Sequence, residues 1–239
     1  SDPITSASSA HLGRLTVHVC CNDAAAAGAE PVGLLVTLLL PPTSSLEEIG
    51  RIADDLSTAA QLANVDILGG HTEVTDFVTR PVTSATVVAR QARGKALVGM
   101  KPGDEIVMTK SAAIEGTTIL AEDFPHLLGS IPSETIAKAR AFSGKLSIVP
   151  ESAIAMQFGA VAMHDVTEGG VLGAVWELAY ANGCGAEIFS DRISIHAETR
   201  ALCAEAELDP LRLIGSGSLL IACKEGETLV HALKSRGIE

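Results

Sequence analysis

The chain has 239 residues, of which 47% are hydrophobic, 19% charged and 3% aromatic, and 17 Lys and Arg against 29 Asp and Glu give a net charge of −12. That apolar fraction excludes a disordered acidic tail and can bury a substantial core, while the length predicts one or two compact domains. The acidic balance, with no long basic run, excludes a nucleic-acid binder that works by neutralising backbone phosphates; a small anionic ligand stays open if backbone N–H groups or a metal supply the positive charge.

Residues 12–29 are Ala-rich and free of proline, with Leu15, Val19, Asn22 and Ala26 at helical spacing, so a helix is predicted that ends near Gly28 and is barred by Pro31. The apolar run 33–40, closed by two prolines, suits a strand buried on both faces. Ser44 or Ser45 can cap a helix with Glu47 and Glu48 in its first turn, running to about Asn64. A strand at 65–68 then leads into Gly69-Gly70-His71-Thr72, and a second strand, 81–90, alternates its side chains between two faces.

A polar, basic stretch at 91–95 and a turn at 100–104 place a domain boundary near residue 97, giving domains 1–96 and 97–239. Beyond it the pattern predicts a strand at 105–109, a helix from about 114, and helix 150–158. Strand 160–164 and helix 169–181 follow, then strand 186–189, helix 197–206, strand 218–223 and a last helix from 227. Region 124–145 gives no clear pattern. The fold class is α/β in two domains.

Five cysteines with no C-x-x-C spacing argue against a disulfide framework and a zinc knuckle, and fit reduced thiols. The longest apolar stretch, 32–40, is far short of the roughly 20 residues of a membrane helix, and the start has no basic region followed by an apolar one. The expectation is a cytoplasmic protein with neither membrane nor nucleic acid as a partner.

Four constellations could carry chemistry. In His164-Asp165-Val166-Thr167-Glu168-Gly169-Gly170 a strand ends in a carboxylate and paired glycines open a helix, whose first N–H groups attract phosphate oxygens. An acid there becomes useful if it holds Mg²⁺; equally, Asp165 or Thr167 caps the helix and the glycines serve tight packing. Asn22-Asp23 sits in an Ala-rich helix with no Lys or Arg three or four residues away, which points to a metal or to a solvated helix face. Gly69-Gly70-His71-Thr72 lets backbone approach a ligand, with His71 an acid–base candidate, or forms a bulge carrying a surface histidine. Lys110 opens another strand-to-helix link, without P-loop spacing, and reads either as a phosphate contact or as an ordinary turn.

The segments H-V-C-C-N-D-A-A-A-A-G-A-E-P (18–31), G-G-H-T-E-V-T (69–75), G-M-K-P-G-D-E-I-V-M-T-K (99–110) and H-D-V-T-E-G-G-V-L-G-A (164–174) together resemble the aminoimidazole ribonucleotide (AIR) synthase superfamily. That superfamily also holds the hydrogenase maturation protein HypE, selenophosphate synthetase and thiamine-monophosphate kinase. E-T-R-A-L-C (198–203), L-D-P-L-R-L (208–213) and G-S-G-S-L-L-I-A (215–222) lean toward HypE. The resemblance implies a homodimer whose N-terminal domains pair into a β-barrel, and Mg²⁺-ATP used to activate an acceptor by phosphoryl transfer. The acceptor would be a small molecule or a protein-borne group; in HypE the step dehydrates a thiocarboxamide. By motif it implies Asp23, Asp165 and Asp2 as metal ligands, and Asn22, Gly69, Gly70, His71, Thr72, Lys110, Gly169 and Gly170 facing ATP. HypE and the kinase read G-D-T where this chain reads G-H-T, so His71 points to another branch. The competing readings are a non-catalytic nucleotide-binding accessory protein and a sibling synthetase or kinase activity.

Overall fold

The computed structural model describes residues 1–5, 11–91 and 96–239, with the side chain of Asp2 outside the described set. The chain divides into two compact units, one formed by 1–24 and 29–91 and the other by 25–28 and 92–239. No helix among the described residues is long and apolar enough to cross a membrane.

In the first unit β1 (Asp2–Ile4), α1 (Leu12–Ala26), β2 (Glu30–Leu40), α2 (Leu46–Ala63), β3 (Asp66–Val74) and β4 (Val82–Arg90) follow in order. The strands form one sheet, β1-β4-β2-β3, with β2 and β3 parallel and the other pairs antiparallel. The run 33–40, expected to be buried on both faces, is not: Leu35 is exposed on one side, while Leu34, Val36, Leu38 and Leu40 of β2 and Thr83 and Ala85 of β4 are buried on the other. α1 packs there, its Thr16 hydroxyl 2.5 Å from that of Thr83 and its Cys20 thiol donating to the Ala85 carbonyl. Arg14 forks onto Asp55 and ties α1 to α2. As its composition predicts, α2 opens with Ser45 accepting from the Glu48 amide and closes on Asn64 in the left-handed conformation.

β3 runs further than the sequence indicates. The Gly-Gly pair reads as the start of a loop, yet the strand continues through it to Val74, paired residue for residue with β2 from Leu35–Gly69 to Leu40–Val74 after a bulge at Leu34/Leu35. Pairing with a buried neighbour overrides the low strand propensity of glycine. At residue 70 only glycine fits, because a Cβ would collide with the Val36 backbone. The three residues of β1 are too few to show an alternation in the sequence.

The second unit comprises β5 (Glu105–Met108), α3 (Ile114–Asp123), α4 (Ser133–Arg140), α5 (Val149–Gln157), β6 (Ala162–Asp165), α6 (Gly170–Ala181), α7 (Ala197–Glu205), β7 (Leu219–Cys223) and α8 (Gly226–Lys234). Its antiparallel sheet has the order β5-β7-β6. Central β7 is buried throughout and feeds two cores by alternation. Leu219, Ile221 and Cys223 pack with Ile148 and Ile154 near and on α5, Leu229 and Leu233 of α8, and Ala25 and Ala26. Leu220 and Ala222 pack against Val171, Ala174, Val175 and Leu178 of α6. Each such leucine contributes about 1.5–3 kcal/mol by leaving water. A third cluster joins Leu120, Leu128, Ala139 and Leu202.

The strand expected at 186–189 does not form: these residues are exposed and irregular and lead into a single 3-10 turn, Ser190–Arg192. Ile188 and Phe189 have strand propensity, but no strand among the described residues pairs with them.

Candidate functional site

The strand-to-helix junction of the second unit is built by register. Asp165, the last residue of β6, lies opposite Leu219, and the next amide, Val166, donates to the Ser218 carbonyl at 3.0 Å. Asp165 is 7% exposed. Beside it the His164 ring sits between two acceptors, with Nδ1 2.6 Å from the Asp165 carbonyl and Nε2 3.2 Å from Glu177 of α6. The sequence did not single out this histidine or Glu177, although His164 lies in the segment 164–174 and Glu177 just beyond it.

Gly169 and Gly170 have φ values of 80° and 62°, a backbone that only glycine adopts without strain. They do different work. A Cβ on Gly170 would lie 2.5 Å from the Leu211 carbonyl oxygen and 2.8 Å from that of Leu213, so this glycine admits the 211–213 segment against the helix start. That segment also takes a helix donor, since the Leu172 amide donates to the Leu211 carbonyl at 3.1 Å, while the Gly170 amide donates to Thr167. The start of α6 is therefore partly closed by its own chain, and Gly169 is the exposed glycine of the two.

Lys110 takes a part the sequence did not show. Its φ is 54°, and its ammonium is 2.6 Å from Glu151 Oε1, 2.6 Å from the Ser147 carbonyl, 2.7 Å from that of Gly217 and 3.1 Å from that of Lys145. Three N–H donors meet four internal acceptors. Burial pushes the lysine below its usual range, opposed by the Glu151 carboxylate. Glu151 reads in the sequence as an ordinary first-turn acid after Pro150; its role needs the distant partner, which sequence separation hides.

In the first unit Asn22 is fully buried and Asp23 half-buried on α1. The neighbouring Cys21 thiol is pushed up to about 12 by burial, then by Cys20 and Asp23, so it stays protonated and is no nucleophile. On β3, pairing with β2 puts Gly70 and Thr72 opposite buried Val36 and Leu38, on the face that carries α1. Gly69, His71 and Glu73 stand opposite Leu35, Thr37 and Leu39 on the other face, with His71 Nε2 3.4 Å from Glu73. The expected G-G-H-T set is thus divided between two faces of one sheet. Asp2 lies in β1 opposite Ala85, and its side chain is outside the described residues. Among the described residues no three His, Cys, Asp or Glu side chains form a metal-holding group.

Two family descriptions match in order: AIR synthase related protein, N-terminal domain, over residues 2–91, and AIR synthase related protein, C-terminal domain, over residues 101–239. The chain is 30% identical over 220 residues to a putative hydrogenase expression/formation protein of Methanocaldococcus jannaschii, covering 90% of this chain and 62% of the relative. It is 29% identical over 236 residues to the carbamoyl dehydratase HypE of Azotobacter vinelandii, covering 94% and 65%. The fold matches the crystal structure of the hydrogenase maturation protein HypE in complex with ATP with a TM-score of 0.80 at 23% identity, over 93% of this chain and 66% of that one. The chain spans a little under two thirds of the length of these curated relatives.

Proposed function

The chain belongs to the AIR synthase related family, and from that membership we propose that it is an ATP- and Mg²⁺-dependent enzyme of the HypE-like branch that activates an amide-type acceptor by phosphoryl transfer. The observation that carries the proposal is the order and extent of the match: both family domains in sequence, together spanning nearly all of the chain, beside relatives named as carbamoyl dehydratases.

Asp23 and Asp165 are the proposed metal ligands, with Asp2 a third. Their donors are all carboxylate oxygens, and Mg²⁺ is held by carboxylates together with phosphate oxygens and retained waters, so the donor chemistry fits. The buried position of Asp165 at a strand end supports this role. When bound, Mg²⁺ neutralises charge on the transferring phosphoryl group. Of the nucleotide-facing set, Asn22, Gly69, Gly70, His71, Thr72 and Gly169 remain proposed contacts. Gly170 is proposed to act by admitting the 211–213 segment, and Lys110 to act within the fold. His71, exposed beside Glu73, is the candidate acid or base.

The open face of the first sheet, with Leu35 and Val88 exposed, supports pairing with a second copy. A cytoplasmic location and a small or protein-borne acceptor belong to the same proposal. A non-catalytic nucleotide-binding accessory role is the second reading, favoured by the internal use of the Lys110 ammonium and of two amides at the start of α6.

Turnover of Mg²⁺-ATP, followed as phosphate or pyrophosphate release with a peptide-borne thiocarboxamide as acceptor, separates the two. Acceptor-dependent release supports the enzyme; ATP binding without release, with or without acceptor, supports the accessory role.

A further inference from the structure

The Lys110 ammonium joins stretches of the second unit that are far apart in sequence: the link between β5 and α3, the 145–147 turn, α5 through Glu151, and the loop before β7 through Gly217. Three carbonyls and a carboxylate can only accept, so the site selects a full cation: a neutral amine offers two N–H donors and an ammonium three. Glu151 is 2% exposed at its side chain, and its second oxygen has no hydrogen-bond partner among the described residues. The link itself is held in a sparse conformation at both ends, with φ 54° at Lys110 and 59° at Ala113, neither of them glycine. Such backbone persists where surrounding contacts over-determine it, and it concentrates at functional sites.

From Gly217 the bonding continues directly to the expected metal site. The Ser218 hydroxyl donates to the Ser111 carbonyl at 2.6 Å, and the Ser218 carbonyl accepts from Val166. Leu219 exchanges bonds with Thr109, its amide donating to the Thr109 hydroxyl at 3.1 Å and its carbonyl accepting from the Thr109 amide at 3.0 Å. Leu219 is the register partner of Asp165. The Lys110 ammonium thus anchors the loop that fixes the end of β6.

We infer that Lys110, paired with Glu151, is a positioning residue: it holds Gly217, Ser218 and Leu219 and through them sets where the Asp165 carboxylate stands, while making no contact with nucleotide itself. The inference rests on the reading of Asp165 as a ligand of Mg²⁺-ATP. It assigns the cation of the β5–α3 link to the loop before β7 instead of to phosphate.

Lys110→Met alone leaves the Glu151 carboxylate buried without its cation, so the comparison is carried by Lys110→Met/Glu151→Leu, which removes both charges. Amide hydrogen exchange without nucleotide is expected to be at least about tenfold faster at Val166 and Leu219 in the double variant, with α8 unchanged. Mg²⁺-ATP affinity is expected to fall about tenfold in the same double variant. Wild-type exchange at Val166 and Leu219 overturns the assignment. So does uniform acceleration across the unit, or faster exchange beside undiminished affinity. The exchange arm needs no ligand, so a wild-type protein that binds no ATP ends the functional proposal and leaves exchange to decide this one.

Discussion

His71 stands directly opposite Thr37 on the face of the first sheet that α1 leaves uncovered, whereas the adjacent Thr72 stands opposite buried Leu38 on the face that α1 covers. A single residue step along β3 therefore separates a candidate acid–base group from a candidate nucleotide contact by the thickness of a sheet. Within one unit these two residues cannot serve the same point in space, because side chains alternate strictly along a strand.

The open face gives the first prediction. Leu35 is 45% exposed, and its neighbours across the sheet are Thr86 and Gly69. Leu35→Asp places a charge where pairing of two copies would bury it, at a cost of several kcal/mol, and leaves the fold intact because the site is open in the single chain. Sedimentation velocity is expected to show a wild-type dimer and a monomeric variant with an unchanged circular dichroism spectrum. A monomeric wild type contradicts the pairing proposal.

The two glycines that open α6 differ from a third glycine in α2. Gly170→Ala meets the Leu211 and Leu213 carbonyls and a left-handed φ, so a loss of about 1–3 kcal/mol is expected. Gly50 lies inside α2 with nothing within 4 Å of an added Cβ, so Gly50→Ala is expected to gain about 0.5–1 kcal/mol. Urea unfolding of the three proteins checks both signs at once.

His196 gives the pH dependence. Burial, and then the nearby Lys145 ammonium, lower its pKa in the fold, where its ring packs 4.7 Å from that of Phe142. The folded state therefore favours the neutral ring. The contribution is complete above the unfolded-state value of about 6.5 and is lost as pH falls from there toward the lower folded value, because the unfolded chain takes up the proton first. Urea midpoints measured from pH 8 to pH 5 are expected to decline less for His196→Asn than for wild type. Parallel declines would remove His196 as the cause.

Much of the architecture was legible from the residues. The two prolines after Leu40 end β2, and Ser45 caps α2. The misses share one cause. β3 continues through two glycines, and 186–189 stays irregular, because the presence or absence of a neighbouring strand outweighs local propensity. At the candidate site, Asp165 and Gly169 could be picked out by their motif. The engagement of Lys110 by Glu151, Ser147 and Gly217, and of Leu172 by Leu211, could not, since those bonds join residues 37 to 107 positions apart.

The central claim is that carboxylates of this chain hold a divalent cation on bound ATP. Titration calorimetry with ATP tests it most directly, with and without magnesium, on wild type and on Asp23→Asn and Asp165→Asn. The account predicts magnesium-dependent binding that weakens about 10- to 100-fold in each variant, the scale of losing one charged contact of about 1.5–3 kcal/mol. Binding that ignores magnesium, or two variants with wild-type affinity, would contradict it.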